Sequence, residues 1–97
     1  MKTSEYLRQI AAELSNIIEK NDVATSNESA LRSLNQIHAR IHLAWARNLI
    51  GRLLIKAELL YRDPPPDDAI AHSLLASMRA YIRGLREGAA AAEQRND

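Results

Sequence analysis

A chain of 97 residues is the size of one domain, and at 46% apolar it carries enough apolar side chains for a globular core. It contains no cysteine, which excludes disulfides, thiol nucleophiles and cysteine metal sites. The net charge of +1 speaks against nucleic-acid binding by bulk charge, but the charge is unevenly placed: residues 31–62 hold six bases and one acid, whereas residues 1–30 and 63–97 each sum to −2.

No apolar signal core follows Met1-Lys2-Thr3-Ser4-Glu5. The densest apolar run, residues 41–55, is interrupted by His42, Arg47, Asn48 and Arg52 and is too charged for a membrane span. The expectation is a cytoplasmic protein with no membrane contact.

A first helix is expected over about residues 4–20. Leu7, Ile10, Ala11, Leu14, Ile17 and Ile18 recur at helical spacing, with Glu13, Asn16 and Glu19 opposite. Glu5 near its start and Lys20 at its end suit the helix dipole. Residues 21–26 are mostly polar and read as a short loop.

A long central helix is expected over about residues 26–62, opened by a capping box between Thr25 and Glu28. It contains no proline, and Gly51 is its one weak point. Its apolar side changes halfway along. Leu31, Leu34, Ile37, Ile41 and Trp45 share one face; Ile50, Leu53, Leu54, Ala57, Leu60 and Tyr61 share another, rotated by about 140° at 100° per residue. A helix serving one core keeps one stripe, so this pattern implies two packing partners. Pro64-Pro65-Pro66 then ends the helix.

A third helix is expected over about residues 67–92, capped by Asp67 and Asp68. Ile70, Leu74, Met78, Tyr81 and Leu85 form its stripe, widened by Leu75 and Ile82. Gly84 and Gly88 weaken its last turns, and residues 94–97 are expected to fray.

These elements predict a single all-α domain of three helices dominated by a long antiparallel hairpin. The first helix would cover the first half of the central helix and the third its second half. Ile55 and Leu59 lie off both faces, and Trp45 with Leu49 broadens the middle. A core of this size is marginal, so completion as a four-helix bundle by homodimerisation is expected. A larger protein partner could fill the same place. Trp45, Leu49, Leu53, Ile55, Leu59 and Tyr61 are the candidate interface residues.

The polar residues carry few chemical motifs. His38 and His42 stand at i, i+4, a spacing that can chelate zinc, but Ala39 occupies the place of the glutamate in the metalloprotease motif and no third ligand is evident. Arg32 and His38 fit the loose R-x(4–6)-H signature and in this resemble HEPN ribonuclease domains, which implies a helical, dimeric ribonuclease. The helical projection sets the two side chains about 120° apart. Residues 71–77, around His72, resemble the phosphorylatable-histidine helix of phosphotransfer domains, with Leu75-Ala76 where that family places Lys-Gly. His72, Arg79, Arg83 and Arg86 fall within a sector of about 60° opposite the apolar stripe, a basic ridge suited to phosphates or an acidic protein surface. Arg40 and Arg47 add basic positions on the central helix.

There is no glycine-rich phosphate loop, no activated serine pattern and no closely paired carboxylates within one helix. The reading is therefore no catalytic residues, no metal and no cofactor. The expected function is a small non-enzymatic regulator, inhibitor or adaptor that binds a larger protein through helical surfaces. The alternative is a nucleic-acid-binding helical dimer using the arginine ridges, and the third a HEPN-like ribonuclease.

Overall fold

A computed structural model describes residues 2–96 and shows an all-helical chain. The helices are α1 (Thr3–Lys20), α2 (Glu28–Arg40), α3 (Ala44–Leu60) and α4 (Asp68–Gln94). The described residues thus form four helices where three are expected. The central helix is broken at residues 41–43, where Ile41 and Leu43 both take extended backbone angles.

No proline or glycine sits at that break. The cause is the rotation of the two apolar stripes. An unbroken helix over residues 28–61 would be about 51 Å long, longer than the molecule's 45 Å principal extent, and its two stripes would point to different sides. Folding it back turns both stripes into one core. Leu34, Ile37 and Ile41 of the first half and Ile50, Leu53 and Leu60 of the second are all buried together. Each such side chain contributes on the order of 1.5–3 kcal/mol by burial, enough to override the helix propensity of three residues. Tyr6 secures the break by donating its hydroxyl to the Arg40 carbonyl at 3.3 Å, one of the orphan carbonyls at the end of a helix.

The bundle runs up-down-up-down. Arg79 meets Glu19 and Arg8 meets Glu93, so α1 and α4 are antiparallel. Leu49 lies against Gly84 and Trp45 against Gly88, so α3 and α4 are antiparallel. His38 reaches Gly51, and the Asn27 amide donates to the Tyr61 carbonyl at 3.2 Å, which makes α2 and α3 a hairpin. Arg40 binds Glu13 at 3.0 Å and closes the ring between α1 and α2. α4 makes the two most extensive interfaces, with α1 and α3, and the shorter α2 makes the two smallest. The second half of the expected central helix supplies a fourth helix from within the chain.

Local signals set the helix ends. Asn27, not Thr25, caps α2: its Oδ1 accepts from the Ala30 amide at 3.0 Å. Asp67 caps α4, accepting from the Ile70 amide at 2.9 Å, and Asp68 follows in the first turn. At this end of the bundle Tyr61 is fully buried and its hydroxyl donates to the Asn21 carbonyl at 2.7 Å. Asn21 also accepts from Asn27, tying three helix ends together. Burial pushes the Tyr61 phenol up to about 12, and the carboxylates of Asp22 and Glu19 add to the shift.

Candidate protein-binding cleft

The candidate interface residues divide into two groups. Leu53 and Tyr61 lie in the bundle's own core and present nothing to a partner, which corrects their place among interface residues. Leu49 is half-buried against Gly84, and Trp45 lays the benzo edge of its indole over Gly88 while remaining 44% exposed. Ile55 and Leu59 are different: they are 58% and 39% exposed. One helical turn apart, they share the outward sector of α3 with Asn48 and Arg52.

That sector borders a cleft of about 480 Å³ between α2 and α3, lined by His38, Ala44, Arg47, Asn48, Gly51, Arg52 and Ile55. Gly51 lines it with backbone alone. A Cβ at Gly51 would stand 3.6 Å from His38 Nε2, an ordinary contact, so packing does not require glycine. Gly88 is the opposite case: a Cβ there would overlap the Trp45 ring, with Cζ2 and Cζ3 at 2.9 Å. At Gly84 the nearest atom, Leu49 Cδ1, lies at 3.3 Å. The two glycines that weaken the C-terminal helix on paper are the places where α3 side chains seat against α4.

The basic ridge is partly neutralised within the bundle. Arg79 binds Glu19 through two hydrogen bonds of 2.8 and 2.9 Å. These bonds hold the Glu19 carboxyl below its ordinary range and raise the Arg79 guanidinium. Arg40 is held by Glu13. Arg83 and Arg86 line a groove between α1 and α4 with Ser15 and Ile82. His72 is exposed near the start of α4, and its Nδ1 meets the Asp68 carbonyl at 3.0 Å. Among the described residues, Arg47, Arg52, Arg83 and Arg86 form no ion pair.

The histidine and arginine constellations do not converge. α2 ends at Arg40, so His42 lies beyond the helix and the i, i+4 geometry with His38 is not made. Arg32 is exposed, whereas His38 is half-buried in the α2–α3 cleft. Among the described residues no group of three His, Asp or Glu side chains is gathered for a metal ion. No helix among them is long and apolar enough to cross a membrane.

The larger groove between α1 and α2, about 650 Å³, is lined by Glu13, Asn16, Ile17, Ser33, Gln36, Ile37, Ala39 and Arg40. Its one base and one acid are paired with each other, so it offers a partner little free charge.

The chain matches no protein-family model, no curated protein and no solved structure. Its chemistry is read from its own geometry. Ala44, Asn48, Gly51 and Arg52 are the cleft residues to which sequence reasoning gave no binding role. Arg52 had a usable signal, since it projects into the same sector as Ile55 and Leu59. Gly51 had none, because only the return of α2 makes its missing side chain a cleft.

Proposed function

We propose that this protein is a small non-enzymatic regulator, inhibitor or adaptor that binds a larger protein on the outer face of α3. The observation that carries this reading is the exposure of Ile55 and Leu59 at helical spacing, on a helix whose opposite side is saturated in the core. Large aliphatic residues grouped on one exposed stripe mark interaction surfaces more often than scattered ones do. The unpaired Arg47 and Arg52 beside them supply a polar rim.

A photo-crosslinking amino acid at position 55, in cells that produce the protein, tests this reading. Discrete adducts with a larger protein, absent when the probe replaces exposed Ala12 on α1, are the expected result. Equal, diffuse labelling from both positions would overturn it. Adducts between two copies would indicate self-association, with the same face serving a second chain.

A nucleic-acid reading draws on Arg83 and Arg86, which remain unpaired along the α1–α4 groove. It predicts oligonucleotide binding that collapses with salt and is lost in the Arg83→Ala/Arg86→Ala double variant. The pairing of Arg40 and Arg79 with α1 carboxylates leaves that surface less basic than the ridge pattern implies, and protein binding is the stronger reading.

A further inference from the structure

We infer that the α2–α3 cleft receives an acidic amphipathic helix of the partner protein. The inference rests on the protein-binding reading above and names the chemistry of what is bound.

Shape, charge and apolar pattern point the same way. A shallow, open trough runs along α3, lined by Ala44, Arg47, Asn48, Gly51, Arg52 and Ile55, with His38 of α2 at its edge. Glycine weakens a mid-helix position, and the fold gains no packing from it, since a Cβ there meets only an ordinary contact. What it does provide is room for another backbone or side chain to come close. Arg47 and Arg52 line the same trough and, like Arg83 and Arg86, form no ion pair among the described residues, so their guanidinium groups are open to a partner's carboxylates. Glu58 is the one acid within α3. Ile55 at the cleft and Leu59 one turn further supply apolar contacts of the kind that an i, i+3, i+4 pattern on a docked helix meets. A partner helix with an apolar stripe flanked by carboxylates satisfies all three features.

A second copy of this chain fits less well. α1 exposes no large aliphatic side chain, α4 exposes only Ile70 near its start, and α3 against its own copy would set Arg47, Arg52 and Lys56 against like charges with Glu58 as the one acid. A lipid surface fits less well, because membrane-lying helices present a broad apolar face rather than two aliphatic residues beside a concave trough.

The test uses the full chain and two synthetic probes. One is a labelled helix of about 18 residues with leucines at i, i+4 and i+7 flanked by glutamates; the other replaces every glutamate by lysine. Fluorescence anisotropy should show the acidic probe binding at least ~10-fold more tightly than the basic one, with affinity falling as salt rises from about 50 to about 300 mM. Amide shifts should cluster at His38, Arg47, Gly51, Arg52 and Ile55. Gly51→Leu, which fills the trough, and Ile55→Glu, on the surface, should each weaken binding at least ~10-fold. Their circular dichroism melts report whether the bundle is retained. Arg47→Ala/Arg52→Ala provides a second disruption that leaves the core untouched, and it should abolish the preference for the acidic probe.

Equal affinity for both probes, or binding indifferent to all three variants, overturns the inference. So does sedimentation with phosphatidylserine vesicles, or self-association, that is lost in the same variants. If the acidic probe fails while position 55 still crosslinks to a larger protein, this inference falls and the protein-binding reading stands. If both fail, both fall.

Discussion

The two seams of α3 use glycine in opposite ways. Against α4, Gly84 and Gly88 sit where Leu49 and Trp45 press in, and the missing side chains let the helices mesh. Against α2, Gly51 faces a contact that a methyl group would tolerate, and the missing side chain leaves a cleft instead of a seam. The same residue type thus admits a neighbouring side chain on one side of the helix and lines an opening on the other. A glycine's role follows from what its absent Cβ would touch, and helix propensity alone cannot distinguish the two cases.

The largest expected effect comes from closing the packed seam. Gly88→Ala forces the Trp45 ring off α4 and should cost about 1–3 kcal/mol, a fall of about 4–8 °C in Tm for each kcal/mol in a domain of this size. A double-mutant cycle with Trp45→Ala checks the cause. With the ring gone, the same alanine should be neutral or stabilising, and simple additivity would show that the overlap is not responsible.

Tyr61→Phe, at the junction of both seams with the helix ends, should cost about 1–2 kcal/mol through the lost bond to the Asn21 carbonyl. It also has a pH signature. The folded phenol is raised to about 12 from an ordinary value of 10.0, so the folded state holds the proton more tightly. The phenol's stabilising contribution is therefore complete below about pH 10 and is lost as pH rises toward about 12. Thermal melts of the two proteins should converge over that window. A constant gap would mean that the phenol does not titrate as described.

Gly51→Ala sharpens the comparison with the opposite sign. Alanine replaces glycine in a helix with no clash, and the protein should gain up to about 1 kcal/mol. A loss measured by denaturant titration would show that this glycine is required for packing after all. The smallest effect is expected from Glu19→Gln, which removes the charge that Arg79 clasps on the far side of the bundle. An exposed pair of this kind contributes roughly 0–1 kcal/mol, and its effect should shrink further in high salt.

Much of the site was legible in pieces. Ile55 and Leu59 stand out in the sequence because neither apolar face accounts for them, and the exposed stripe is built on them. Arg47 is visible as a basic position on the same helix. Leu53 and Tyr61 belong to the second apolar stripe, so helical spacing already set them apart from Ile55 and Leu59, although their residue types do not. Their burial depends on how α2 and α4 close around α3. The ridge on α4 was equally visible as spacing, but the pairing of Arg79 with Glu19 joins residues 60 positions apart, beyond the reach of a helical projection.

By itself, the sequence determined the all-helical class, the extents of α1 and α4, the cap at Asp67 and the stop imposed by Pro64-Pro65-Pro66, because periodicity, caps and proline act over a few residues. It also carried the two apolar stripes rotated by about 140°. Only the tertiary structure decided what that rotation means. Residues 41–43 contain nothing that breaks a helix, and any local reading runs straight through them. The chain turns there because one shared core buries both stripes and removes more apolar surface from water than a straight helix could. From that turn follow the fourth helix, the α2–α3 cleft and the exposure of Ile55.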